Sequence, residues 1–290
     1  NFFIMKKLLI IGYGKWGKKI VKNLINAKVY NEIYIKTKNA YYQCDFRLIK
    51  KKTSIDIPLK KYDRVHICVP TNQHYSVLQN YINIKNLSIE KPLFNQLKFF
   101  KKLKKKTIKV NYTDLYNPIT KFFFKNVKEE KIITINLDYC GKYFFHDQYI
   151  FLDEWLDHPL SLLFSIFNKI QLKKIKTFKI DRVKKLNIFE AILKYNNLNI
   201  KISLKTNLVK KRLITLITKT NDKIIYDFSK NKIFKNKKLI YKANTTSIEN
   251  FFKLRNKRSK KIQIESLNFH KKIFKFKRKI LLKSKKELPI

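Results

Sequence analysis

The chain has 290 residues, 44% of them hydrophobic, and 67 Lys and Arg against 20 Asp and Glu give it a formal charge of +47. This length and apolar content support a globular core in about two domains. Lys or Asn interrupts every hydrophobic run, so no stretch is apolar enough to span a membrane as a helix.

Lys, Asn, Ile, Phe and Tyr are abundant throughout while Gly, Pro and Trp are scarce, a bias that an AT-rich coding sequence produces without selection for a ligand. The lysines are dispersed, standing out only over Lys98–Lys109 and Lys253–Lys286, where a solvated helix face is the simpler reading. Nonspecific, salt-sensitive polyanion binding fits the charge. No zinc-finger, RNA-recognition or basic-zipper pattern supplies a reading element. Cys44, Cys68 and Cys140 are odd in number and scattered, which argues against a disulfide framework or a structural zinc site. With no signal-peptide pattern and Met5 reading as a natural start, a cytoplasmic protein is expected.

In chain order, Met5–Ile11 reads as a short buried strand and is followed by Gly12-Tyr13-Gly14-Lys15-Trp16-Gly17. Ile20, Val21, Leu24 and Ile25 then recur at helical spacing. Three of the four glycines in the chain fall in this one turn. Between a strand and a helix, Gly12 permits the tight turn, Gly14 lets a pyrophosphate approach the backbone and Gly17 lets the helix pack on the strand. The helix amides then face the phosphates.

Strands are predicted at Glu32–Lys36, Arg64–Val69 and Leu87–Glu90, with a helix carrying Val77, Leu78, Tyr81 and Ile82 between the last two. This alternation predicts βαβ units and a parallel sheet. Residues just after such strands face the ligand crevice, which singles out Gly12, Lys36, Pro70 and Lys91. The Asn117-Pro118 pair interrupts regular structure, so the first domain is expected to occupy residues 1–117. In the second, 118–290, a strand over Ile132–Tyr139 and a helix over Trp155–Phe167 precede a β-rich run with Asn-Asn and Asn-Asp turns. That run predicts a largely antiparallel sheet. Closing helices are expected over Ile248–Leu254 and Ile264–Leu282.

With these pieces in order, the chain resembles the Gfo/Idh/MocA family of NAD(P)-dependent oxidoreductases. The resemblance runs from the glycine turn through Val-Pro-Thr-Asn-Gln-His at 69–74 and Glu-Lys-Pro at 90–92 to Glu154-Trp155-Leu156-Asp157-His158. It continues into a tail whose last helix, in the family, packs against the first domain. It implies a Rossmann dinucleotide-binding domain followed by an α+β domain with an open, mostly antiparallel sheet for substrate binding and oligomer contacts. The implied activity is reversible hydride transfer between NADP or NAD and a sugar or sugar-derived alcohol or carbonyl, by a homo-oligomer.

Residue by residue, the resemblance assigns Lys91 to substrate positioning and proton handling, His158 to the general base and Glu154 to its support. Glu154 stands where the family commonly has Asp, and Ser161 where it has a further Asp. Cofactor contacts are implied for Gly12, Gly14, Lys15, Trp16, Gly17, Lys36, Thr37, Pro70, Thr71, His74 and Glu90. Lys36-Thr37-Lys38 at the end of the second strand carries no acid for an NAD ribose, which favours NADP. Of the other histidines, His66 alternates within a strand and reads as structural, while His146 and His270 show no clear partner. No metal site is expected. Two other readings fit the same residues: a dinucleotide-binding relative impaired in turnover, and a basic polyanion-binding protein on an enzyme scaffold.

Overall fold

A computed structural model describes residues 6–37, 41–44, 49–52, 62–103, 107–143, 145, 148–206, 208–253 and 265–287. The chain divides into two compact units, one formed by 1–112 with 248–274 and the other by 113–247 with 275–290. Among the described residues no helix is long and apolar enough to cross a membrane.

The first unit is built on strands β1 (Lys7–Ile11), β2 (Glu32–Lys36), β3 (Tyr41–Cys44), β4 (Ile49–Lys52), β5 (Arg64–Ile67), β6 (Leu87–Glu90) and β7 (Lys109–Asn111). They form one sheet in the order β4-β3-β2-β1-β5-β6-β7. The five strands β2, β1, β5, β6 and β7 are parallel, as the alternating pattern requires, and β3 and β4 extend the β2 edge as antiparallel strands. Helix α1 (Lys15–Asn26) buries Gly17, Ile20, Val21 and Leu24, the stripe that the 3.6-residue period assigns to one face. A 3-10 turn over Thr71–Gln73 leads into α2 (His74–Asn80), and α3 (Leu97–Lys102) follows β6.

The second unit contains α4 (Thr120–Glu129), β8 (Ile132–Cys140), α5 (Gln148–Trp155) and α6 (Asp157–Phe164). Strands β9 (Gln171–Asp181), β10 (Leu186–Tyr195), β11 (Leu198–Lys205), β12 (Lys211–Thr218), β13 (Lys223–Asp227), β14 (Lys232–Lys235) and β15 (Lys238–Lys242) follow. The eight strands run β15-β14-β13-β12-β8-β11-β10-β9, every neighbouring pair antiparallel except β8 with β11. Alternation places Ile135, Leu137, Ile200, Ile202, Leu204, Ile214 and Leu216 in the core.

The helix expected over Trp155–Phe167 instead breaks at Leu156 into α5 and α6. Pro159 in the first turn of α6 has no N–H with which to continue the preceding helix. Helix α7 (Ser247–Lys253) returns the chain to the first unit, where Phe251 and Phe252 meet the His66 ring edge-on. The last helix, α8 (Leu267–Glu287), begins in the first unit, with Phe274 against Phe100, and ends in the second, with Phe276 against Phe164.

Candidate active site

In the first unit, β1 ends at Ile11 and Gly12 takes a φ of +97°, where a side chain is strained. Its N–H donates to Lys36 O at 2.8 Å, fastening the turn to the end of β2. A Cβ on Gly12 would lie 2.5 Å from Cys68 O, and one on Gly17 would lie 2.6 Å from Gly12 O. Both positions therefore exclude any side chain on packing grounds alone. Gly14 is different: an added Cβ would meet nothing within 4 Å.

Gly14 is the extended N-cap of α1, and no side chain caps the helix or places an acid in its first turn. A helix N-terminus without a side-chain cap or an acid presents backbone N–H groups and a positive dipole end to an anion. These features fit the pyrophosphate of a dinucleotide. Lys15 is exposed, Trp16 is half-buried with Lys19 over its ring, and Lys36 and Thr37 are half-buried at the end of β2.

The loop after β5 is built from Pro70 and the Thr71–Gln73 turn, and His74 anchors it. His74 is buried, with Nε2 2.9 Å from Val69 O and Nδ1 2.9 Å and 3.1 Å from Pro92 O and Leu93 O. Burial lowers its pKa, against the opposing pull of these carbonyls. The imidazole ties the loop after β5 to the Glu90-Lys91-Pro92 segment, whose Lys91–Pro92 peptide is cis.

Glu90 is buried, and its Oε1 accepts from Asn111 Nδ2 at 2.6 Å and lies 3.1 Å from His66 Nε2. Ser88 Oγ is 3.0 Å from His66 Nδ1, so three adjacent parallel strands carry a polar ladder across one face. Cys68 joins it: donor atoms of His66, Cys68 and Glu90 all lie within 4.8 Å of one another, the only such metal-competent group among the described residues. Spacing in the chain concealed this group because Glu90 ends β6 while His66 and Cys68 lie on and just after β5. The hydrogen bonds already engage both imidazole nitrogens, and burial followed by the Glu90 charge raises the Cys68 pKa and keeps the thiol protonated. The ladder fixes Glu90, and through it the backbone that presents the half-buried Lys91.

In the second unit the site is made by side chains. His158 is buried in the first turn of α6, next to Asp157. Its Nδ1 lies 3.5 Å from Asp114 Oδ2 and its Nε2 lies 3.4 Å from Arg212 NH2. Arg212 NH1 donates to Asp114 Oδ1 at 2.9 Å, and Tyr139 OH donates to Asp114 Oδ2 at 2.8 Å. The Tyr139 ring stacks on the His158 ring at 6.1 Å between centroids. Burial, and then the Asp114 charge, raises the Tyr139 pKa far above its ordinary value, so its hydroxyl remains a donor.

The sheet explains this convergence. Tyr139 ends the buried row Ile135-Leu137-Tyr139 of β8 and pairs in register with Arg212 of β12, so both sit at the same end of one face. Asp114, in a 3-10 turn over Thr113–Tyr116, is added by the chain just after β7.

Lys277 is 2% exposed, with Nζ 2.8 Å from Oδ1 of Asp157, the neighbour of His158 in α6, and 3.4 Å from Asp153 Oδ1. Burial opposes its charge, but the two carboxylates outweigh it and hold its pKa above the ordinary value. Ser161 Oγ donates to His158 O at 2.9 Å, and Glu154 is half-buried in α5. The sequence pattern singles out His158; it gives no signal for Asp114, Tyr139 or Lys277, which the fold brings near it together with Arg212. His270 does have partners: its Nε2 is 2.9 Å from Ile108 O and its Nδ1 3.3 Å from Tyr112 OH. His146 lies outside the described residues.

No protein family matches the chain by sequence profile, and no curated protein matches it in sequence. Solved structures match it throughout. UDP-N-acetylglucosamine 3-dehydrogenase GnnA from Acidithiobacillus ferrooxidans superposes with a TM-score of 0.70 at 12% identity, over 97% of this chain and 98% of that one. A Gfo/Idh/MocA family oxidoreductase from Vibrio cholerae gives a TM-score of 0.64 at 13% identity, over 96% of this chain and 99% of that one. The chain has the Gfo/Idh/MocA fold. Biliverdin reductase from Synechocystis sp. PCC 6803, solved with biliverdin and NADP+, shares this fold with a TM-score of 0.57 at 12% identity, over 93% and 98% of the two chains. The Gfo/Idh/MocA fold therefore carries chemically unlike substrates, so function follows from side chains rather than from the fold.

Proposed function

We propose that this chain is an NAD(P)-dependent oxidoreductase that moves hydride between nicotinamide and a sugar or sugar-derived alcohol or carbonyl. The observation that carries this reading is the contrast within the glycine turn: Gly12 and Gly17 are closed by packing, while Gly14 is open at an uncapped helix N-terminus. A nicotinamide dinucleotide bound there would supply the hydride acceptor or donor. Lys36 and Thr37, with no acid at the end of β2, favour the 2′-phosphate of NADP. Neighbours of the same fold that bind NADP+ or are named for a sugar-nucleotide dehydrogenase support the cofactor and substrate class.

His158 is the general base, because a neutral imidazole can take a hydroxyl proton near neutral pH. Lys91 is the cation that stabilises developing alkoxide character, and Glu154 supports the histidine electrostatically. A homo-oligomeric, cytoplasmic enzyme is part of the same reading. The engagement of His158 Nε2 by Arg212 favours one alternative, a dinucleotide-binding relative with impaired turnover.

Calorimetric titration with NADPH and NADH, followed by absorbance assays on a panel of keto sugars, tests the proposal. NADPH binding is expected to exceed NADH binding, and His158→Ala is expected to lower kcat on the order of 10²–10⁴-fold with cofactor affinity retained. Absence of any dinucleotide binding refutes the oxidoreductase reading. Binding without turnover on any substrate selects the impaired relative, and tight, salt-resistant nucleic-acid binding selects the polyanion reading.

A further inference from the structure

We infer that Asp114 and Arg212 are a positioning pair for His158, holding it as the neutral tautomer with the proton on Nδ1 and the lone pair on Nε2. The inference rests on the reading of His158 as the general base and names the groups that decide which nitrogen does the work. A carboxylate offers only acceptors and a guanidinium only donors. Asp114 Oδ2 faces Nδ1 at 3.5 Å, and Arg212 NH2 faces Nε2 at 3.4 Å. The opposite tautomer would set N–H against N–H at Arg212 and a lone pair against the carboxylate at Asp114.

The pair is itself held rigidly. Asp114 is 1% exposed and receives Tyr139 OH on Oδ2 and Arg212 NH1 on Oδ1, while Thr120 Oγ1 donates to its backbone oxygen. Arg212 keeps a further contact to Thr113 Oγ1 at 3.4 Å. Arg212 NH2 reaches Nε2 at the long end of hydrogen-bond distance and Asp114 Oδ2 faces Nδ1 as a charge contact, so the imidazole is oriented by its neighbours without being locked. A proton arriving at Nε2 creates an imidazolium that Asp114 attracts and Arg212 NH2 repels. Proton transfer therefore requires NH2 to leave Nε2 while NH1 remains on Asp114. Lysine at position 212 cannot do this, because a single ammonium has no second arm in a fixed plane.

The test reads the tautomer directly. Full-length protein labelled with ¹⁵N-histidine gives long-range ¹H–¹⁵N imidazole spectra, and the His158 signals are assigned by their loss in His158→Gln. The wild-type protein is expected to show a protonated Nδ1 and an unprotonated Nε2. Asp114→Asn and Arg212→Gln are each expected to shift the population toward the reverse tautomer. Asp114→Asn is also expected to lower kcat on the order of 10²–10⁴-fold with NADPH affinity within about twofold. Arg212→Lys is expected to restore NADPH-dependent kcat only partly relative to Arg212→Gln.

A wild-type Nε2–H tautomer, or a tautomer unchanged in both variants, overturns the inference even if the enzyme turns over. The expected tautomers without turnover on any substrate sustain the positioning role and refute the oxidoreductase reading instead. Because the wild-type spectrum needs no variant, a variant that fails to fold does not remove the test.

Discussion

The glycine turn of the first unit and the His158 cluster of the second are built in opposite ways. The turn lies within six consecutive residues, Gly12 to Gly17, and works by what is missing: two absent side chains close the packing and a third leaves room. The cluster gathers Asp114, Tyr139, His158 and Arg212, its first and last members 98 positions apart, and works by charges that cancel in burial. A site made of backbone announces itself in sequence, because only glycine meets its geometric demand. A site made of side chains depends on which strands the fold brings together.

The largest expected effect breaks the second kind of site and leaves the first intact. Replacing Lys277 with Met removes the counter-charge of Asp157, which is 1% exposed, and strands a carboxylate in the core. Removing one partner of a buried pair costs about 3–5 kcal/mol, so Lys277→Met is expected to lower the urea midpoint by that equivalent and to loosen α6 at His158. Dinucleotide affinity at 25 °C is expected to survive wherever the variant remains folded. Restored stability in Lys277→Met with Asp157→Leu would confirm that the stranded charge is the cause. A single variant as stable as the wild-type protein would show that the pair does not anchor the helix.

This asymmetry also explains what could be read from the sequence. Strands β1, β2, β5 and β6 and the antiparallel run from β9 to β13 were legible because periodicity and turn residues are local signals. Strands β14 and β15 were not, since Lys232–Lys235 and Lys238–Lys242 are short and lysine-bounded, and β15 is largely exposed with no buried face to reveal it. The break between α5 and α6 was signalled by Pro159 but hidden by the apolar pattern running through it. At the site, Gly12, Gly14 and Gly17 stood out because glycine is scarce, and the same logic extends to Arg212. The chain has only seven arginines among its 67 basic residues, so an arginine kept where lysine is the default marks a place that needs a planar, two-armed donor. Its partner, Asp114, could not be found from sequence, because the pairing exists only once the Thr113–Tyr116 turn lies against Arg212 of β12.

A second prediction concerns pH and falls on the first unit. His270 is buried, and burial outweighs its carbonyl contacts and lowers its pKa to about 4. An unfolded histidine titrates near 6.5, so the unfolded chain takes up this proton first as pH falls. The His270 contribution is therefore fully present above about pH 6.5 and is lost as pH drops toward 4. The shift corresponds to roughly 3 kcal/mol. Denaturation midpoints measured at pH 7 and pH 4.5 should diverge more in the wild-type protein than in His270→Gln. His74, whose pKa burial also lowers, acts in the same direction and leaves a residual slope in that variant. Equal slopes in the two proteins would mean that His270 is protonated when buried.

The smallest expected effect is the most discriminating, because it separates packing from ligand contact within one turn. Gly12→Ala places a Cβ 2.5 Å from Cys68 O on a backbone at φ +97°, and is expected to cost about 2–3 kcal/mol through left-handed strain and overpacking. Gly14→Ala meets nothing within 4 Å and adopts an ordinary extended N-cap, so its stability is expected to change by less than about 1 kcal/mol. If Gly14 gives a pyrophosphate close access to the backbone, the added methyl group still weakens NADPH binding on the order of tenfold or more, which calorimetry on the folded variant measures. A Gly14→Ala protein of wild-type stability and wild-type NADPH affinity would show that the open position is not where the phosphates approach. The turn would then be an ordinary strand-to-helix connection whose glycines serve packing alone.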